Sequence, residues 1–89
     1  MAWKIELSSR AERSLDKFDP QITRRILTFL FERVAHLDDL RSMGEALQGS
    51  RLGDFWRYRV GDYRIICRME DTRLVVMVVS IGHRRDVYR

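Results

Sequence analysis

The sequence predicts an α+β fold of order βααβββ, with a helical pair packed on one face of a small, twisted, mainly antiparallel sheet. Three observations carry that prediction. Trp3, Ile5 and Leu7 alternate with polar or small residues near the start. Ile22, Ile26, Leu27, Leu30, Val34 and Leu37 recur at helical spacing in the middle. Two alternating runs hinged at Gly61-Asp62, followed by the apolar run Leu74 to Ile81, close the chain with strands.

The opening alternation places Trp3, Ile5 and Leu7 on one buried face of a first strand. Ser9-Arg10-Ala11-Glu12 then fits a capping box, in which the Ser9 hydroxyl and Glu12 carboxylate satisfy free N–H groups at a helix start. That short helix turns Ala11, Leu15 and Phe18 inward. Asp19 caps a second helix, and Pro20 at its first position has no N–H to leave unpaired. Phe29 and Phe31 broaden the second helix's apolar stripe, while Arg24, Arg25, Thr28 and Glu32 form its solvated side.

From Leu37 to Gly53 the periodicity fails. Gly44, Gly49 and Gly53 punctuate a loop with room for one helical turn, anchored to the core by Leu47 and Leu52. In the following hairpin, Gly61 suits the first central position of a type II′ turn. A two-residue loop there sets Val60 against Tyr63, Arg59 against Arg64, Tyr58 against Ile65 and Trp56 against Cys67. Trp56, Tyr58 and Val60 then share one face, and Arg57 and Arg59 the other. Leu74 to Ile81 is apolar on both sides and rich in β-branched residues, as suits a central strand, and Gly82 is expected to end it.

Composition bounds the function. Eighty-nine residues with 45% hydrophobic content allow one folded domain, residues 1–89. No run approaches the roughly 20 apolar residues that span a bilayer, and the N-terminus lacks a signal-peptide layout, so a cytoplasmic protein is expected. Cys67 is the lone cysteine, and its alternation with Ile65 and Met69 marks a buried thiol. No His/Cys spacing suits zinc and no carboxylate cluster suits Mg²⁺, so neither metal nor cofactor is expected.

Charge is lopsided. The first fifty residues carry eight Lys/Arg and eight Asp/Glu; the remainder carry nine against five and supply the whole net charge of +4. Basic excess in one half suits a polyanion surface. Arg59 directly opposite Arg64 is unfavourable, unless an anion lies over the pair. Arg57, Arg59, Arg64 and Arg68 therefore read as a basic sheet face for phosphate, because guanidinium forks match phosphate oxygens and stay charged.

The tail after the last strand adds His83, Arg84 and Tyr88, and the antiparallel connection is expected to bring His83 and Arg84 closer to Arg57 than to Arg59. Cleaving RNA through its own 2′-OH needs a base, an acid and positive charge between them. His83 is a natural acid/base, and Tyr88 serves if neighbouring arginines favour its phenolate. Asp62 and Asp86 read as turn and local ion-pair residues.

With those residues assembled, the chain resembles the RelE branch of the RelE/ParE toxin superfamily of type II toxin–antitoxin systems. The resemblance rests on WKIELSSRAERSLDKF, ALQGSRLGDFWRYRVGDYRIICRM and LVVMVVSIGHRRDVY, and on the total length. It implies a single RelE-like domain with a fold similar to small microbial ribonucleases. It further implies a metal-independent endoribonuclease, an mRNA interferase that cuts mRNA in the ribosomal A site and leaves a 2′,3′-cyclic phosphate. By position, the family's site residues fall on Arg57, Arg59, Arg64, Arg84 and Tyr88, with His83 beside them. The implied partners are the ribosome, mRNA and a RelB-like antitoxin, with operator DNA met only through the antitoxin complex and no membrane. Some relatives carry lysine at Arg57 and Arg59, and arginine is the poorer proton donor, so proton transfer falls to Tyr88 or His83. GDYRII and HRRD also occur in ParE-type toxins, which inhibit DNA gyrase; an inactive antitoxin-binding relative is the third reading.

Overall fold

A computed structural model of the chain describes residues 2–47 and 55–83. Five strands, β1 (Lys4–Leu7), β2 (Glu45–Ala46), β3 (Phe55–Val60), β4 (Tyr63–Glu70) and β5 (Val75–His83), form one mixed sheet of order β1-β5-β4-β3-β2. Two helices, α1 (Ser9–Lys17) and α2 (Pro20–Thr28), lie on one face, as the sequence predicts. β5 pairs parallel with β1 on one side and antiparallel with β4 on the other, so the apolar run is central. The core lies between the layers: Ile5, Ala11, Leu15, Ile26 and Leu30 meet Tyr58, Ile65, Cys67, Val76 and Val78.

The start of α1 departs from expectation. Ser8, not Ser9, is the cap; its hydroxyl oxygen accepts from the Ala11 N–H at 3.0 Å, which leaves Glu12 outside a capping box. The reason is a register shift in the sheet. Ile66 faces Ser80 while Cys67 faces Val78, so Val79 is an extra residue on β5. The Ser8 hydroxyl donates to the Val79 carbonyl at 2.6 Å, and the Ser8 N–H donates to Val78 at 2.9 Å. One serine thus caps the helix and satisfies the bulge.

Asp19 and Pro20 start α2 as expected, with the Asp19 carboxylate accepting from the Gln21 N–H at 2.9 Å. The helical path then opens into a single π-turn, Phe29–Arg33, and tightens into a 3₁₀ turn, Val34–His36. Ile26, Leu30 and Val34 stay fully buried through this change. Phe31 instead turns outward and is 47% exposed, so it does not broaden the core stripe.

The next loop contains the anticipated turn, Leu40–Ser42, but Leu40 and Met43 anchor it to the core. Leu47 is only half-buried, and Leu52 lies outside the described residues. The loop also supplies β2, which pairs Glu45 with Arg57 and Ala46 with Trp56. Gly44 makes this approach possible: its φ is +79°, and a Cβ there would stand 2.4 Å from the Arg57 carbonyl. Trp56 fastens the same segment by donating Nε1–H to the Met43 carbonyl at 2.7 Å.

The hairpin register is the predicted one at every pair from Trp56–Cys67 to Val60–Tyr63. Gly61 has φ +57°, whereas Asp62 is not left-handed, as a type II′ turn requires. The third strand of this meander is shifted from expectation. Leu74 adopts φ +55° in the preceding turn, and the strand continues through Gly82, which pairs with Arg64, to His83. Among the described residues, no helix is long and apolar enough to cross a membrane.

Candidate functional site

Strand alternation sends Tyr58, Val60, Ile65 and Cys67 toward the helices and Arg57, Arg59, Arg64 and Arg68 to the opposite face. There the structure holds a group that sequence reasoning missed. The Glu45 carboxylate, presented by β2, is ion-paired with the Arg57 guanidinium, and its other oxygen lies 3.4 Å from Arg59 Nη2. Arg57 is drawn in, with only 17% of its side chain exposed, while Arg59 keeps 55%. An isolated Glu in a glycine-punctuated loop carries no periodic signal; only its pairing with β3 brings it here.

Arg59 and Arg64 do stand opposite one another, but the fold relieves their repulsion without an external anion. Arg59 leans toward β2 and Glu45. Arg64 leans toward the hairpin turn, where Nη1 donates to the Gly61 carbonyl at 3.2 Å and the Tyr63 carbonyl at 3.3 Å. Gly82, the residue facing Arg64 on β5, adds no side chain to that row. The two guanidiniums are thereby drawn to different partners.

His83 is placed differently from the sequence expectation. It pairs with Tyr63 at the turn end of the sheet, in the row of Val60, and so lies far along the strand from Arg57. Directly paired residues share a face, so His83 projects on the helix side, away from the arginines. Its ring meets Tyr63 edge-on, with centroids 5.6 Å apart, and Tyr63 in turn meets Phe18 at 4.9 Å. β4 runs antiparallel to both β3 and β5, which returns the end of β5 to the turn end of β3. Arg84 and Tyr88 lie outside the described residues.

Tyr58 and Cys67 take no part in the surface. The Tyr58 hydroxyl donates to the Leu40 carbonyl at 2.6 Å, and burial pushes both the phenol and the Cys67 thiol well above their ordinary pKa values. They are neutral core groups. Among the described residues no cluster of His, Cys, Asp or Glu has the makings of a metal site.

What the face offers is paired guanidiniums already spanned by one carboxylate. A phosphate oxygen pair has the same fork-to-fork complementarity to them. Comparison with known proteins gives this geometry a family. The model of the ParE toxin of the type II toxin–antitoxin system, parDE, matches residues 5–88. Toxin RelG of Mycobacterium tuberculosis is 30% identical over 89 residues, covering 100% of this chain and 99% of that protein.

The chain belongs to the RelE/ParE toxin superfamily. As a RelE/ParE toxin of the type II class, it shares its fold with solved relatives. The toxin–antitoxin complex RelBE2 from M. tuberculosis superposes with a TM-score of 0.85 at 24% identity, covering 97% of this chain and 95% of that one. The isolated E. coli RelE toxin gives 0.72 at 22% identity, covering 98% and 92%. The RelE of the archaeal RelE–RelB complex from Pyrococcus horikoshii gives 0.75 at 22%, covering 98% and 100%. The helices-on-sheet arrangement of this toxin is therefore the RelE arrangement.

Proposed function

We propose that this toxin is an mRNA interferase, a ribosome-dependent endoribonuclease that cuts mRNA in the A site by metal-independent attack of the 2′-OH. The observation that carries the reading is the arginine face, in which Arg57 and Arg59 jointly hold one carboxylate and Arg64 stands opposite Arg59. A phosphodiester that takes the carboxylate's place receives two guanidiniums from β3 and a third from β4. Their charge stabilises the additional negative charge of a pentacoordinate phosphorus, usually the largest contribution to such catalysis.

The displaced Glu45 would remain beside that phosphate and serve as the base. Its carboxylate takes the 2′-OH proton while the 2′ oxygen bonds to phosphorus. The P–O5′ bond breaks, and the 5′ oxygen leaves with a proton from an acid. The products are a 2′,3′-cyclic phosphate and a 5′-OH. Tyr88 is our assignment for the acid and Arg84 for a further phosphate contact; His83, on the helix side, is left out of the chemistry. Dependence on the ribosome follows if ribosome-bound mRNA is the substrate these few groups cannot orient alone. A RelB-like antitoxin, of the kind present in the solved RelBE complexes, is the proposed inhibitor, and the cytoplasm the proposed place of action.

The family model's own description favours a second reading, a ParE-type toxin directed at DNA gyrase. Primer extension on a defined message in a translating extract separates the two. The interferase reading expects cuts within codons at stalled ribosomes. Intact message together with blocked gyrase supercoiling overturns it in favour of ParE; intact message with active gyrase leaves an antitoxin-binding protein without either activity.

A further inference from the structure

A second basic surface lies around the corner from the arginine face. A groove of about 600 Å³ runs between the second helix and the hairpin turn, lined by Arg25, Phe29, Glu32, Arg33, Arg59 and Gly61 among others. Arg59 thus borders both this groove and the Glu45 site, since it also lines the adjoining hollow with Arg57 and Glu45. Neither Arg25 nor Arg33 has an ion pair or side-chain hydrogen bond among the described residues. Two exposed guanidiniums without a carboxylate partner among the described residues therefore border the groove together with a third.

Their alignment comes from the π-turn. At about 100° per residue, an unbroken α-helix would set Arg33 about 80° around the axis from Arg25. One inserted residue returns it to within about 20°. The same insertion keeps Val34 in line with Ile26, eight residues before it, so one rotation serves the core and the basic edge together. Gly61 completes the fit at the other wall: a Cβ there would stand 3.2 Å from Arg25 Nη1, so the guanidinium sits directly over the turn.

We infer that this groove is a second phosphodiester subsite, formed by Arg25, Arg33 and Arg59, which extends RNA binding from the sheet face around the hairpin turn. The inference rests on the RNA-cleaving reading and adds a site to it. Among the described residues Glu32 is the one carboxylate lining the groove, and it opposes the phosphate, so its removal strengthens binding.

The test is the salt dependence of binding of a 2′-O-methyl, uncleavable single-stranded RNA hexamer to the full-length toxin, with ribosome cosedimentation as a second arm. For a single strand, the slope of log affinity against log salt changes by about 0.7 per phosphate contact. Arg25→Ala/Arg33→Ala is expected to lower the slope by about 0.7 and weaken binding about tenfold. Arg25→Lys/Arg33→Lys restores the slope, and Glu32→Gln tightens binding. Loss in the hexamer arm assigns the phosphate to the substrate strand; loss in the ribosome arm alone assigns it to ribosomal RNA. An unchanged slope in both arms, with a wild-type thermal melt, overturns the subsite. Arg57→Ala/Arg59→Ala is the control: if it loses binding where Arg25→Ala/Arg33→Ala does not, only the second subsite falls; if neither does, the RNA reading falls too.

Discussion

Glu45 occupies the place on Arg57 that a phosphate is proposed to take, with its second oxygen 3.4 Å from Arg59. Glu45 is thus a resident anion where a phosphate is proposed to bind, and its two proposed roles pull a substitution in opposite directions. Glu45→Gln removes a partly exposed ion pair worth up to about 1 kcal/mol, so uncleavable RNA is expected to bind up to about fivefold tighter. Loss of the proposed base is expected to slow cleavage by about 10²-fold or more. Single-turnover cleavage beside equilibrium binding reads both; faster cleavage would show Glu45 to be only a competitor.

Arg59→Ala and Arg64→Ala each remove one of the proposed phosphate contacts, from neighbouring strands. Each is expected to lower cleavage by about 10²–10³-fold. The hydrogen bonds that Arg64 makes to Gly61 and Tyr63 lie at the exposed turn, so the thermal midpoint should fall by only a few degrees. Wild-type cleavage in both variants would remove the phosphate site.

His83→Gln is expected to retain cleavage within about threefold of wild type, because the imidazole faces Tyr63 on the helix side. A loss of 10²-fold or more in the same primer-extension assay would return His83 to the chemistry.

Gly44→Ala tests how β2 is held. The left-handed backbone and the 2.4 Å approach to the Arg57 carbonyl make a cost of about 2 kcal/mol or more the expected result in urea unfolding. Activity should fall with stability, since the same shift carries Glu45 away from Arg57.

Alkali should unfold the protein through its core. Burial raises the Cys67 and Tyr58 pKa values above those of the unfolded chain. The folded state therefore holds protons that the unfolded state has released, and the corresponding stability is full below the ordinary values and lost as pH rises. The loss begins near pH 8.5 for the thiol and near 10 for the phenol, at about 1.4 kcal/mol per pH unit per group. Thermal midpoints from pH 7 to 11 check this, and Cys67→Ala is expected to move the onset up toward pH 10.

Much of the fold was legible in the chain. Gly61-Asp62 set the hairpin register because a two-residue turn admits one pairing, and that pairing put Arg59 opposite Arg64. Local capping was less secure: Ser8 and Ser9 are equivalent in pattern, and the Val79 bulge decided between them. The π-turn left no mark in the apolar spacing, because Ile26, Leu30 and Val34 remain in line on either side of it.

The sequence by itself determined the layers, the hairpin and the sign of charge on the outer face, all of which follow from periodicity and turn chemistry. Only the tertiary structure decided what that charge meets. Glu45 reaches Arg57 through a strand of two residues, His83 is turned to the helix side by its pairing with Tyr63, and Arg33 is rotated toward Arg25 by one inserted residue. Each depends on the relative placement of segments distant in the chain or on a single step of helical phase, neither of which hydrophobic patterning records.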